Sequence, residues 1–275
     1  GMPVLVALLV MLALYGVTTG GFEQAFVYLF NPDFSTLTFD ALVVAMAHAF
    51  FTLSLGMGAM MAYGAYLPGK VSIVEASWII ILVDTVVALL AGLAIFSIVF
   101  GEGLDVASGP ALMFHSLPIA FGSLPAGTLF GGLFFLLVSI AALTSAISLL
   151  EPTVAYLVEK FDTTRMMVVS VVLVICWLLA LLSALSFNVL SGVTMFEGKT
   201  YFDLFDWLSQ EVMLPLGGLL TALFAAWVLP NTVVWKQLEL GEGLVRTAWR
   251  WLCGVVAPVG ILMFWLLPPI RDWIG

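Results

Sequence analysis

A single carboxylate lies in the middle of a long apolar stretch of this sequence. Asp84 belongs to the run WIIILVDTVVALLAG, where threonine and glycine are the only other interruptions. A lone charge at that depth in an apolar helix is costly and marks a functional hypothesis: it binds a cation, carries a proton or pairs with a base. No Lys or Arg lies at a comparable depth, which favours a cation as its partner.

A second group of oxygen atoms lies in the run AALTSAISLLEP. Ala141, Thr144 and Ser145 are spaced i, i+3 and i+4, which places them on one face of a helix. Two hydroxyls and a freed carbonyl on that face would suit a hard cation. The alternative is that the hydroxyls only bond back to carbonyls of their own helix.

The run FFTLSLGMGAMMAYGAY, Phe50–Tyr66, is apolar enough for a membrane, yet its middle is interrupted by Thr52, Ser54, Gly56 and Gly58. A broken helix survives in a membrane only where protein or a water-filled cavity satisfies its backbone. The run therefore predicts either an unwound binding segment or a packing face of small residues. The two oxygen-bearing motifs described above favour the unwound segment.

Two further polar residues have less specific interpretations. His48, one turn before the interrupted segment, is typical of a satisfied interior histidine. Glu151 raises the same question as Asp84 less sharply, since Pro152 follows it and it lies nearer the cytoplasmic end of its span. His48 and Ser54 are six residues apart, on opposite faces of one helix, and no GxSxG-like sequence is present. This argues against an intramembrane serine hydrolase, and the protein is not expected to be an enzyme.

The composition predicts an all-α polytopic membrane protein. Hydrophobic residues make up 63% of the 275 residues and charged residues 9%. The acidic residues behind the formal charge of −9 are scattered, so no nucleic-acid-binding surface is expected. Cys176 and Cys253 lie in apolar runs without metal-ligand spacing, and they imply neither a disulfide nor a metal site.

About seven apolar runs reach the roughly 20 residues that a membrane span needs. By the positive-inside rule, the distribution of Lys and Arg between the connections makes the N-terminus cytoplasmic and the C-terminus external in a plasma (inner) membrane. The connection 101–127 is then an external lid, and 230–243 is a polar cytoplasmic connection. The predicted spans are 2–19, 41–66, 73–100, 128–157, 166–185, 204–229 and 248–270.

Several of these motifs together resemble the neurotransmitter:sodium symporter family, and specifically its bacterial amino-acid transporters. The resemblance rests on FFTLSLGMG, AYGAY, AGLAIF at 91–96, FHSLPIAF at 114–121 and AALTSAISLLEP at 141–152. It covers essentially the whole chain in order. It implies a partial leucine-transporter-type inverted-repeat fold, with one helix unwound in its middle.

The same resemblance implies a role for each motif. Sodium site one would use Thr52 and Asp84, and sodium site two the Ala141 carbonyl with the Thr144 and Ser145 hydroxyls. Phe51 would also cover the substrate, Asp206 would belong to the outer gate, and 109–126 would form the lid. The substrate-binding residues implied are Phe51, Thr52, Ser54, Met57, Ser145 and Leu149.

Two departures from the family pattern bear on specificity. Where animal members hold chloride with glutamine, asparagine and serine, this sequence has His48, Asp84 and Ala88. A fixed carboxylate can offset sodium charge as a chloride ion would, so transport is predicted to be chloride-independent. Met57, which stands where some relatives have phenylalanine, is flexible and predicts a hydrophobic or aromatic amino acid as substrate.

The resemblance also concerns the extent of the chain. Residues 1–275 are expected to form a single transmembrane domain equivalent to family helices five to eleven, without the first four helices and their share of the sites. The predicted function is sodium-coupled amino-acid symport by alternating access. The alternatives are a proton-coupled amino-acid permease, with Asp84 as the proton carrier, and a non-transporting membrane scaffold fragment.

Overall fold

The computed structural model describes residues 2–68, 71–104, 110, 112–124, 126–239, 241, 243–263 and 265. All regular secondary structure in these ranges is helical, which confirms the all-α prediction. The chain divides into two compact units. Unit 1 comprises Gly1–Leu37 and Ile79–Ile147, and unit 2 comprises Thr38–Trp78 and Ser148–Gly275.

Unit 1 is built around a core of aliphatic and phenylalanine side chains. Leu12, Ile98, Leu117 and Phe134 are almost completely buried within it. The helices that contribute are α1 (Met2–Thr19), α2 (Gly21–Phe30), α5 (Ile73–Gly101), α6 (Leu117–Ser123) and the first part of α7 (Gly127–Phe161).

The joint between α1 and α2 depends on glycine. Gly20 lies there with φ of 80°, and the two helix axes meet at 116°. A Cβ atom added to Gly21 would lie 2.1 Å from the Ser97 carbonyl oxygen and 2.5 Å from the Gly101 nitrogen. The bend therefore rests directly on the backbone of α5, where no larger side chain would fit.

Unit 2 contains the remaining helices. A second buried cluster of Phe50, Leu214, Leu219 and Ile261 forms part of its core. Its helices are α3 (Phe39–Thr52), α4 (Ala59–Ala65), the last part of α7, α8 (Arg165–Leu185), α9 (Tyr201–Trp207), α10 (Leu214–Leu223), α11 (Asn231–Leu238) and α12 (Leu244–Trp251).

Wider π-helical turns interrupt the longer helices of unit 2. Leu208–Met213 joins α9 to α10, Phe224–Val228 follows α10, and Leu252–Val256 follows α12. Such turns insert a residue into the helical ladder and are frequent at functional sites. The run Tyr201–Val228 is therefore one helical span that contains two irregular turns.

The described residues contain fewer complete spans than the predicted seven, because some predicted spans are bent or broken and one runs past the described residues. Four described helices are long and apolar enough to cross a membrane, and a fifth is counted if the bent pair α1–α2 is one span. The predicted span 41–66 is divided into α3 and α4 by its break, and 248–270 continues beyond the described residues. The four complete spans are Ile73–Gly101, Gly127–Phe161, Arg165–Leu185 and Tyr201–Val228.

Two predicted connections contain helices. The described part of 101–127 includes a π-helical turn, Leu112–Ser116, followed by α6, so this segment is folded although too short to span. The stretch 230–243, predicted to be a polar cytoplasmic connection, contains the short helix α11, and Trp235 packs edge-on against Trp249. Lys70 and Arg271, both used to predict topology, lie outside the described residues.

Candidate functional site

The predicted break in the second span is present, and a regular helix cap creates it. After α3 ends at Thr52, Ser54 adopts a left-handed conformation with φ of 53°. The Ser54 N–H donates to the Phe51 carbonyl at 3.1 Å, and the Leu55 N–H donates to the Phe50 carbonyl at 2.9 Å. This pair of bonds is a Schellman cap with serine at the position that usually holds glycine.

Two glycines complete the unwound segment and start the next helix. Gly56 and Gly58 have φ of 79° and 80°, and Gly58 caps the N-terminus of α4. Left-handed geometry costs an L-residue with a side chain roughly 1–2 kcal/mol, and glycine avoids this cost. The residues interpreted from the sequence as an unwound segment therefore lie at the backbone positions that need them.

The unwound segment, residues 53–58, rests on two further glycines of α10. A Cβ atom on Gly56 would lie 2.4 Å from the Leu214 carbonyl oxygen, and one on Gly217 would lie 2.2 Å from the Gly56 carbonyl oxygen. At Gly218 a Cβ atom would meet the Phe50 ring at 2.2 Å. The break and α10 thus approach each other backbone to backbone, where no side chain can intervene.

The sequence analysis missed Gly217 and Gly218. Their signal is the pair of adjacent glycines in MLPLGGLLTAL, but glycine is common in membrane helices and this pair alone does not identify a contact. The close approach becomes evident only when the partner segment is known.

The helix after the break docks on the last part of α7. Gly58 lies against Pro152, whose Cβ would be 3.4 Å from a Cβ atom at the glycine. The Tyr63 hydroxyl donates a hydrogen bond to Ser148 Oγ. Neighbouring Glu151 accepts two bonds from the Arg165 guanidinium, one of them at 3.0 Å from Nη1 to Oε1.

The Glu151–Arg165 ion pair gives Glu151 a structural partner. The paired carboxylate therefore ties the last part of α7 to the start of α8 and is a weaker candidate for a ligand than Asp84. His48, by contrast, is exposed in the structure and was expected to be a satisfied interior residue.

Some of the predicted substrate-pocket residues of unit 2 are exposed, and the others are half-buried or packed against the core. Phe51 and Leu149 are 53% and 40% exposed, respectively, and are available to contact a ligand. Met57 packs against the cluster around Phe50, while Thr52 and Ser54 are half-buried. The predicted pocket residue Met57 therefore also belongs to the supporting core.

The predicted gate residue Asp206 lies in a well-anchored helix. Thr200 and Asp203 form a reciprocal capping box at the start of α9, with bonds of 3.3 Å and 3.1 Å. The Phe202 N–H donates to the buried Ser186 hydroxyl at 3.1 Å. Asp206 itself is exposed and accepts a bond from the Gln210 side-chain amide.

The remaining predicted ion ligands lie in unit 1. Asp84 is half-buried in the middle of α5, and the next residue, Thr85, bonds back to the Ile81 carbonyl at 2.8 Å. In α7 the Thr144 hydroxyl donates to the Ala141 carbonyl at 2.8 Å. The back-bonded alternative therefore holds for Thr144, and its bond brings together two of the three predicted oxygens.

Comparison with known proteins places these features in a family. The model of the Sodium:neurotransmitter symporter family matches residues 2–270. An uncharacterized sodium-dependent transporter of Bacillus subtilis is 35% identical over 96% of this chain and 59% of its own length. Another from Methanocaldococcus jannaschii is 30% identical over 94% of this chain and 52% of its own length.

A solved structure agrees with the sequence relatives. The crystal structure of MhsT in complex with L-phenylalanine superposes with a TM-score of 0.89 at 40% identity, covering 96% of this chain and 60% of that one. The leucine-transporter-type fold is thereby confirmed. The chain spans between about half and 60% of the length of these relatives. Because the family model matches nearly the whole sequence, the chain belongs to the sodium:neurotransmitter symporter family.

Proposed function

We propose that this chain is the C-terminal part of a sodium-coupled amino-acid symporter, and that further N-terminal helices of the same transporter complete its sites. The observation that carries the proposal is the capped break at residues 53–58 in a chain of this family. A break leaves N–H and C=O groups without helical partners, and these can bind an amino acid and an ion in the membrane. The transporter lies in the plasma membrane, with the start of this chain cytoplasmic and its end external.

Coupling follows if ion and substrate share ligands. In the proposed first sodium site, the Thr52 hydroxyl and the Asp84 carboxylate bind an ion that also contacts the substrate carboxylate. Each ligand then strengthens the binding of the other by the same factor. Bound sodium favours the substrate-loaded state, and alternating access carries both across the membrane.

The back-bonded threonine is compatible with a second sodium site. The Thr144 hydroxyl donates its proton to the Ala141 carbonyl, and a hydroxyl oxygen that donates its proton can still bind a cation through its lone pairs. Within α7 the Ala141 carbonyl also accepts the helical N–H four residues later, so a cation bound there would share the oxygen with these bonds. The bond fixes both oxygens on one face of α7, and the Ser145 hydroxyl is proposed as the third ligand.

A hydrophobic or aromatic amino acid is the proposed substrate. Support comes from exposed Phe51 and Leu149, from the pliable side chain of Met57, and from the L-phenylalanine in the MhsT complex. We expect phenylalanine or leucine to compete with substrate about 30-fold better than glycine, because burying such a side chain contributes about 2 kcal/mol. Competition for uptake by the whole transporter in proteoliposomes measures this ratio. Displacement only by glycine, alanine or glutamate would contradict the proposed substrate class.

Replacing chloride is expected to leave uptake unchanged. The fixed charge of Asp84 supplies the negative charge that a bound chloride would otherwise supply. The measurement is the initial rate of sodium-driven uptake with gluconate in place of chloride on both sides of the vesicle, at constant sodium concentration. A rate reduced to the sodium-free background would show that the site needs a mobile anion.

Two other functions can be distinguished from sodium-coupled symport by experiment. A proton-coupled permease is favoured by the lone intramembrane carboxylate Asp84, which could carry a proton. A non-transporting scaffold is favoured by the fraction of its relatives' length that the chain spans. The scaffold predicts no change in thermal stability on adding sodium and amino acid, whereas a symporter is stabilised by both ligands.

A further inference from the structure

A groove in unit 2 combines cationic and aromatic side chains. It has a volume of about 450 Å³. We call it the Arg–Trp groove, and its main lining residues are Trp227, Trp235, Arg246, Thr247, Arg250 and Trp251. None of the described residues that line it carries a carboxylate. The groove therefore concentrates positive charge over apolar rings.

Both arginines are held in place by tryptophan. They lie one turn apart on α12, with the Arg246 Cζ atom 5.4 Å from the Trp235 ring centre and the Arg250 Cζ atom 5.2 Å from that of Trp227. The indole N–H of Trp227 in turn donates to the Gly254 carbonyl at 3.0 Å. Stacking engages the face of the Arg250 guanidinium and leaves the N–H groups at its edges for an acceptor.

One of those donors is unsatisfied. Arg250 Nε is buried and has no hydrogen-bond acceptor within the described part of the chain. Guanidinium groups bind phosphate through two parallel N–H···O bonds, and a phosphate offers several such oxygens. The chemistry of the groove thus suits a phosphate group better than a single carbonyl.

The surroundings of the groove identify the source of the phosphate. Trp227 lies near the end of the membrane-spanning run Tyr201–Val228, and tryptophan is enriched where membrane spans reach the headgroups. Val255 and the indole rings provide an apolar wall next to the arginines. A phospholipid has both a phosphate and an acyl chain to match, whereas free phosphate has only the first.

We propose that the Arg–Trp groove binds the headgroup phosphate of an anionic phospholipid, with part of an acyl chain against its apolar wall. The predicted topology places Arg246 and Arg250 at the cytoplasmic leaflet, whose anionic lipids attract basic residues close to a membrane span. This site is separate from the proposed ion and substrate ligands, and its existence does not depend on transport.

Lipid retention by the purified whole transporter tests the proposal. Native mass spectrometry would compare its retention of phosphatidylglycerol and of phosphatidylcholine, and we expect about tenfold stronger retention of phosphatidylglycerol. Arg250→Gln is expected to remove most of this preference. Lys236→Gln is the matched control, because it removes one exposed positive charge from α11 outside the groove and should keep the preference.

A second arginine variant and a displacement measurement complete the test. Arg246→Gln repeats the test if Arg250→Gln loses its helical circular-dichroism spectrum. The site would be overturned if both arginine variants preferred phosphatidylglycerol as strongly as the wild type does. It would also be overturned if Lys236→Gln lost as much of that preference as the arginine variants. Displacement of phosphatidylglycerol by glycerol 3-phosphate at equal concentration would identify a soluble phosphate instead, and would overturn the lipid assignment. Uptake assays are not involved, so failure here leaves the proposed symport unaffected.

Discussion

Asp84→Asn is expected to raise the sodium concentration that half-activates uptake by at least about tenfold. The substitution keeps the size of a half-buried side chain on α5 but removes its charge. Changing only an outer partner of a metal ligand typically costs 10–100-fold in affinity, so losing a charged ligand should cost no less. Uptake by the whole transporter in proteoliposomes, measured over a range of sodium concentrations, gives this shift directly.

A carboxylate elsewhere on the same helix provides the control. Glu75 lies in the first turn of α5 and is exposed, so Glu75→Gln removes the same charge and should leave the sodium dependence unchanged. If Asp84→Asn kept its sodium dependence but lost a dependence on pH, Asp84 would carry a proton and the permease alternative would hold. An unchanged response to both ions would remove Asp84 from the site.

The sequence identifies the break because its causes are local. Left-handed backbone geometry favours glycine, and Gly56 and Gly58 stand beside Thr52 and Ser54 in the middle of an apolar run. The lone Asp84 stands out for a similar reason, since its cost depends only on its own apolar surroundings. Features with local causes can therefore be predicted from the residues of one segment.

Features that depend on two segments far apart in the sequence could not be predicted in this way. The contact of Gly56 with Gly217 needs both segments, and neither glycine reveals its partner. Helix α11 was missed because its polar sequence resembles a connection, although Trp235 gains a packing partner on α12. Spacing placed Thr144 on the same helix face as Ala141, but it could not determine whether the hydroxyl proton points to the Ala141 carbonyl.

Gly56→Ala is expected to destabilise unit 2 by about 3 kcal/mol or more. Its φ of 79° costs an alanine roughly 1–2 kcal/mol, and the new Cβ atom would lie 2.4 Å from one backbone atom of α10 and 2.7 Å from another. Relief needs either α10 or the break to move, since backbone atoms cannot rotate away as a side chain does. Thermal unfolding in detergent, with and without sodium and amino acid, measures the loss.

Alanine variants at two other glycines of the same predicted span distinguish the cost of left-handed backbone geometry from the cost of steric overlap. At Gly58 the φ is 80° but the nearest atom is Pro152 Cβ at 3.4 Å, so Gly58→Ala should show the cost of backbone geometry without the overlap. At Gly64, within α4, a Cβ atom would meet nothing within 4 Å, and Gly64→Ala should be neutral or stabilise by up to about 1 kcal/mol. The expected order, from the most stable variant to the least stable, is therefore Gly64→Ala, Gly58→Ala, Gly56→Ala. If Gly56→Ala unfolded no earlier than Gly58→Ala, the break would not rest on α10, and its shape would follow from its own caps alone.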